Sequence, residues 1–239
     1  MNYLSICGQE MCKTLFQGIL GLVVLWLLTA GPSLAGDKTK TARPTVIVNV
    51  DTSHAPEAAP WAERAKQLVI KWHPIIADFL KTDGFTPASE VNLVFKTDMK
   101  GPASTSQNTI SISVQHIAKN PNDFGMVVHE LTHVLQCYPK FNKDNFWLIE
   151  GIADYIRYYR YEPRTRLPRI DPGKASYRDG YKTAARFLAW IERKYDKEIV
   201  TELNAALRKG HYRPELFEAW TGHSVDQLWE AFLRAAPPR

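Results

Sequence analysis

Two histidines stand four residues apart in His129-Glu130-Leu131-Thr132-His133. On a helix that spacing puts both imidazoles on one face, about a turn apart, where both can reach a single metal ion. Glu130 lies between them but off the ligand spacing, where a carboxylate can take a proton from a water activated at that metal. A second cluster follows 17 residues after His133: Glu150-Gly151-Ile152-Ala153-Asp154. A helix carrying it, packed antiparallel to the first, brings Glu150 to the metal as third ligand. Asp154, one turn further on the same face, can accept the outward N–H of a ligand histidine and so fix its tautomer and aim its ring. Two histidines and one carboxylate with an open position make a catalytic zinc site, whereas a structural zinc usually takes four protein ligands.

Cys137 follows His133 by four residues and competes with Glu150, because sulfur also binds zinc. The helical turn carries it about 80° away from His129, and a thiolate would blunt the metal as a Lewis acid. Glu150 is therefore the expected ligand. For the oxyanion, Tyr177 and Tyr181 are the preferred pair, since they flank Asp179-Gly180 at the start of a helix. His54, His73, His116, His211 and His223 have no partner pattern. No Asp-rich loop has the spacing of a calcium site. RYYRYEPRTRLPR, 157–169, carries five arginines and one acid and reads as a solvated loop or a contact for an anionic surface.

These residues need a scaffold, and the chain of 239 residues supplies enough apolar surface for one, with 45% hydrophobic and 11% aromatic residues. Three cysteines exclude a disulfide scaffold, and a net charge of +5 is too dilute to imply nucleic acid. The first 35 residues read as a secretory signal peptide. Lys13 precedes the apolar stretch 19–30, and Gly31-Pro32 and Ser33-Leu34-Ala35 follow, with small residues at the cleavage positions before Gly36. The apolar core is short for a membrane span. Met11 is as good a start as Met1. Removing 35 of the 239 residues leaves 204, and no stable membrane insertion is expected of them. The location implied is secreted or extracytoplasmic.

Residues 36–44 read as a flexible leader, and 45–239 as a single α+β domain: a small N-terminal sheet, then a helical part carrying the metal helix. Strands are expected at 45–50, 91–95 and 109–114, the last alternating with one solvated side. Helices are expected at 59–82 with a kink or split at Pro74, from Asn120 to about Tyr138, at 144–160, 180–195 and 198–209, and after a Ser224/Gln227 capping box. Residues 101–106 read as a loop. Strand 109–114, just before the metal helix, is expected to pair with an extended polypeptide substrate through its main chain.

The pentad with its downstream glutamate resembles the gluzincin metallopeptidases. More closely, VVHELTHVLQ (127–136), WLIEGIADYIR (147–157), GYKTAARFLAWIERKY (180–195) and TGHSVDQLWEAF (221–232) resemble the basic secretory protein family of plants and bacteria. That resemblance spans roughly 45–235 and implies a zincin-like fold and a secreted zinc peptidase. Carried over residue by residue, it implies His129, His133 and Glu150 as zinc ligands and Glu130 as catalytic acid/base. The function expected is a zinc-dependent endopeptidase. A zinc amidase or deformylase acting on non-protein amides uses the same chemistry. A catalytically silent, zinc-stabilised defence or binding protein is the third possibility, disfavoured because Glu130 would then have no purpose.

Overall fold

The β-branched run at 47–51 and the apolar run at 90–96 pair as parallel neighbours β1 (Ile47–Asp51) and β2 (Glu90–Lys96), with Val48 opposite Val91. The computed structural model describes residues 46–235; the signal-peptide and leader readings at 1–44 lie outside the described residues. Between these strands runs α1 (Ala59–Phe79), which buries Ala62, Ala65, Val69 and Ile76. Of the kink or split expected at Pro74, the split does not occur: the proline lies inside one continuous helix. Packing of that small-residue stripe against β1 and the metal helix offsets one lost backbone hydrogen bond.

The sheet has the order β1-β2-β4-β3, with β3 (Ala103–Ser106) antiparallel to β4 (Thr109–Ser113) and β4 parallel to β2. Two expectations change here. Residues 103–106 are a strand, and β4 is flanked on both edges, so an extended substrate cannot pair with it; the outer edge on that side belongs to β3. Nor is β4 half solvated. Ser111 and Ser113 are buried along with Ile110 and Ile112.

Strand β4 also ends a residue early, because the Ser113 hydroxyl accepts the amide of His116 and caps a short helix, α2 (Val114–Lys119). Asn120 closes that helix by bonding back to His116, and so does not start the next one. The metal-binding candidate helix α3 (Gly125–Gln136) begins later, with Asp123 accepting the Met126 amide. It stops at Cys137, which adopts a left-handed conformation (φ 42°, ψ 49°). Arg208 donates to the carbonyls of Leu135 and Gln136 and neutralises the negative end of α3.

Helix α4 (Phe146–Tyr155) continues without a break into a π-helical segment at 156–161. Beyond a loop come α5 (Tyr181–Lys194), α6 (Ile199–Arg208), an unanticipated α7 (Glu215–Thr221) and α8 (Val225–Ala235). The expected capping box before α8 is present, with Ser224 and Gln227 bonded to each other's amides. Gly151 lets α4 lie close on α5, since a Cβ there would stand 2.7 Å from the Cβ of Ala184. The described residues fall within one compact unit of α+β class, a small mixed sheet followed by helices. Among them no helix is long and apolar enough to cross a membrane.

Candidate metal centre

Helices α3 and α4 pack together as the two clusters require and bring His129, His133 and Glu150 to one point. Nε2 of His129 lies 3.1 Å from Nε2 of His133, and Oε2 of Glu150 lies 3.3 Å and 3.4 Å from them. Each ring's other nitrogen is already used. Nδ1 of His129 is 2.7 Å from Asp154 Oδ1, and a carboxylate has no proton to give, so the imidazole donates. Nδ1 of His133 is 2.7 Å from Gln136 Oε1, while Gln136 Nε2 donates to the carbonyl of Ile149 (3.0 Å), which fixes which end of the amide faces the ring.

With both Nδ1 atoms donating, the two neutral rings and Glu150 turn three lone-pair acceptors toward each other in a buried space. Three acceptors at such distances repel unless a proton or a cation lies among them. A tetrahedral ion with bonds of about 2.0–2.1 Å has edges of about 3.3–3.4 Å, which the two Glu150 separations match and the 3.1 Å between the rings approaches. The ligand set therefore fits a small divalent cation.

The electrostatics agree. Burial resists charging His129, yet hydrogen bonds to Asp154 and Glu150 and the nearby charge of Asp154 and Glu130 push it up to about 10. His133 is raised for related reasons, burial being overcome chiefly by Glu150. Glu150 is held well below the usual carboxylate range, its burial outweighed by His133 and His129. Positive charge is what this cluster attracts.

Glu130 also faces the cavity, which measures about 670 Å³ and is lined by all three candidate ligands. Its Oε2 accepts a 2.6 Å hydrogen bond from Thr105 on β3, and the same hydroxyl is 3.0 Å from the Glu130 carbonyl oxygen. Among the described residues no hydrogen bond engages the second carboxylate oxygen of Glu130. Asp154 is 4% exposed and sits where the four-residue spacing from Glu150 places it. Cys137 lines the cavity but does not belong to the three-residue group.

The two tyrosines part company. Tyr181 lines the cavity, its ring stacked near His129 (centroids 6.3 Å) and edge-on to Phe146. It opens α5 at φ 47°, a region seldom occupied without glycine. The structure does not bring Tyr177 to the cavity. Tyr177 is buried against Trp147 and Trp229 and donates to Asp226 (2.7 Å), because the 3₁₀ turn at 177–179 points it into the helical core. Gly180, at φ 73° and packed on Glu150, turns the chain between them.

Sequence reasoning missed Thr105 and Gln136. Gln136 had a signal, three residues beyond His133 and hence on its face; Thr105 had none, being read as loop. Tyr158 and Arg157 of the π segment also line the cavity, and such segments recur at functional sites.

The family profile described as "Peptidase of plants and bacteria" matches residues 56–232, nearly all of the described chain. This chain belongs to that family, the basic secretory proteins. No curated protein and no solved structure matches it. A peptidase assignment follows from the family, and the His129–His133–Glu150 group with Glu130 beside it lies within the matched residues.

Proposed function

We propose that this basic secretory protein is a zinc-dependent endopeptidase of gluzincin type with a zincin-like fold, holding its metal through His129, His133 and Glu150. The observation that carries the reading is the convergence of those three acceptors at tetrahedral spacing with Glu130 in the same cavity. When bound, zinc supplies a Lewis acid for the scissile carbonyl and lowers the pKa of a water toward 7. Glu130 takes the proton of the attacking water on the oxygen that Thr105 does not bind and returns it to the leaving amine, while Thr105 holds the other oxygen in place. Asp154 and Gln136 keep both histidines in the tautomer that leaves Nε2 free to bind.

Strand β3 is the sheet edge nearest the site, and Ala103 and Thr105 line the cavity. An extended polypeptide pairs there, in place of the internal strand 109–113, and main-chain bonds give affinity with modest side-chain selectivity. Tyr181 is the hydroxyl assigned to the oxyanion; Tyr177 is structural. Residues 1–35 direct export and are removed, so the protein works outside the cytoplasm.

Metal analysis combined with cleavage of a peptide library, before and after chelation, tests the reading. One zinc per chain and chelator-sensitive peptide cleavage are expected. Cleavage that survives full metal removal, or turnover confined to non-peptide amides, overturns it. Glu150→Ala is expected to lose zinc and activity together.

A further inference from the structure

Charge on this chain is segregated. Residues 157–194 hold eleven Lys and Arg against four Asp and Glu, a net of +7, where the whole chain carries only +5. The acids inside that stretch are occupied locally. Glu162 faces Arg157 and accepts from Thr165. Glu192 takes Arg160 and Tyr155. Asp179 closes a capping box on the Ser176 amide, and Asp171 accepts from Gly173.

Of the nine other cations, six lie on the 164–169 loop and on one face of α5. Arg164, Arg166 and Arg169 are exposed in the irregular chain after the π segment and form no salt bridge among the described residues. Lys182, Arg186 and Arg193 recur at spacings of four and seven on α5, within about 40° of one another around the helix. Arg186 donates to the carbonyl of Pro168 and ties the loop to this helix face. Tyr159 feels both Arg186 and Arg193, so these two guanidinium groups share its surroundings. Lys182 Nζ stands 5.5 Å above the ring of Tyr158 and lines the catalytic cavity with it. The basic strip thus begins at the cavity wall and runs out along α5 and the 164–169 loop.

We propose that this strip is a substrate exosite that binds an acidic segment of the polypeptide whose scissile bond lies in the cavity. The inference rests on the peptidase reading above. Continuity decides for a polypeptide over another polyanion: Lys182 belongs to both surfaces, so one extended chain can occupy cavity and strip together. Arginine predominates, and its planar guanidinium matches side-chain carboxylates. Because the contacts are exposed, they are strongly screened by salt.

The test compares a neutral fluorogenic peptide with the same peptide extended on either side by four glutamates, at about 20 mM and about 500 mM salt. For one of the two extensions, KM is expected to fall about tenfold at low salt, equivalent to about 1.4 kcal/mol, with kcat unchanged and the advantage lost at high salt. The variant R164Q/R166Q/R169Q is expected to lose most of that advantage while cleaving the neutral peptide as before. Equal KM values for all peptides, or a preference unchanged in the variant, overturn the exosite. Anisotropy of a labelled Glu-rich peptide on the zinc-loaded protein reads the strip without catalysis. Binding that R164Q/R166Q/R169Q weakens supports the exosite even if no peptide is cleaved, whereas its absence refutes the exosite and leaves the peptidase reading standing. Displacement of nothing but a polyuronate, with acidic peptides unbound, assigns the strip to polysaccharide and also refutes it.

Discussion

Asp154→Asn separates the charge of the carboxylate behind His129 from its shape. The residue is 4% exposed and stands 2.7 Å from Nδ1. Asparagine fills the same volume and can still offer an oxygen, so packing is unchanged. What disappears is a negative charge that fixes the tautomer and makes Nε2 a stronger donor to metal. Removing such a partner typically weakens metal binding about 10–100-fold, which is roughly 1.4–2.7 kcal/mol. Burial limits solvent screening here, so the upper half of that range is expected. Gln136→Leu makes the contrast, since Gln136 offers His133 only a neutral amide. Its loss should cost less zinc affinity but more stability, about 1–3 kcal/mol, because Nδ1–H of His133 loses its acceptor. Competition with a calibrated chelator measures affinity, and thermal unfolding of the metal-free proteins measures stability separately. An Asp154→Asn protein that binds zinc as tightly as the parent would refute the orienting role and, with it, the assignment of His129 Nε2 to the metal.

Glu130→Gln is expected to keep zinc and fold while losing about 10²–10⁴-fold in kcat; near-parental turnover with full zinc would exclude Glu130 as base. Gly151→Ala gains about 1 kcal/mol of helix propensity but drives a Cβ to 2.7 Å from Ala184, an overpacking cost of about 1–3 kcal/mol. The expected net is a melting temperature lower by about 3 °C, and a higher one would show that α4 and α5 separate freely. Glu202 is pushed up to about 7 by burial and by its hydrogen bond and proximity to Asp196, with Glu198 adding to the repulsion. The folded state then holds a proton that the unfolded state releases near 4.5, so stability falls as pH rises from about 4.5 to 7. Glu202→Gln should flatten that part of the stability profile measured by denaturant titration. Mass spectrometry of protein exported by its host should find an N-terminus at Gly36, and retained residues 1–35 would count against the signal-peptide reading.

Much of the site was legible because its logic is local. Four-residue spacing on a helix puts His129 over His133 and Glu150 over Asp154 whatever the rest of the chain does, and chemistry then assigns their roles. The same periodicity placed α1, α5, α6 and the capped α8 within a few residues. Errors arose where a short polar segment had two partners to choose from. Asn120 was taken by α2 before α3 could use it, and Ser113 left its strand to cap a helix.

Strand order lay beyond periodicity altogether. Alternation says that 109–113 is a strand, but only the pairing of 103–106 beside it decides which edge is open, since that pairing joins backbone groups whose side chains carry little pattern. Direction was equally hidden for the tyrosines. Tyr177 and Tyr181 flank the same turn, and a 3₁₀ twist with Gly180 at positive φ sends one into the core and the other to the cavity. Thr105 reaches Glu130 only because β3 lies against α3, a contact across 25 residues that no spacing rule encodes. Sequence by itself determined which residues can share a helix face and what chemistry they can do; tertiary packing alone decided which of the remaining polar groups meet them, because those contacts depend on the relative placement of whole elements.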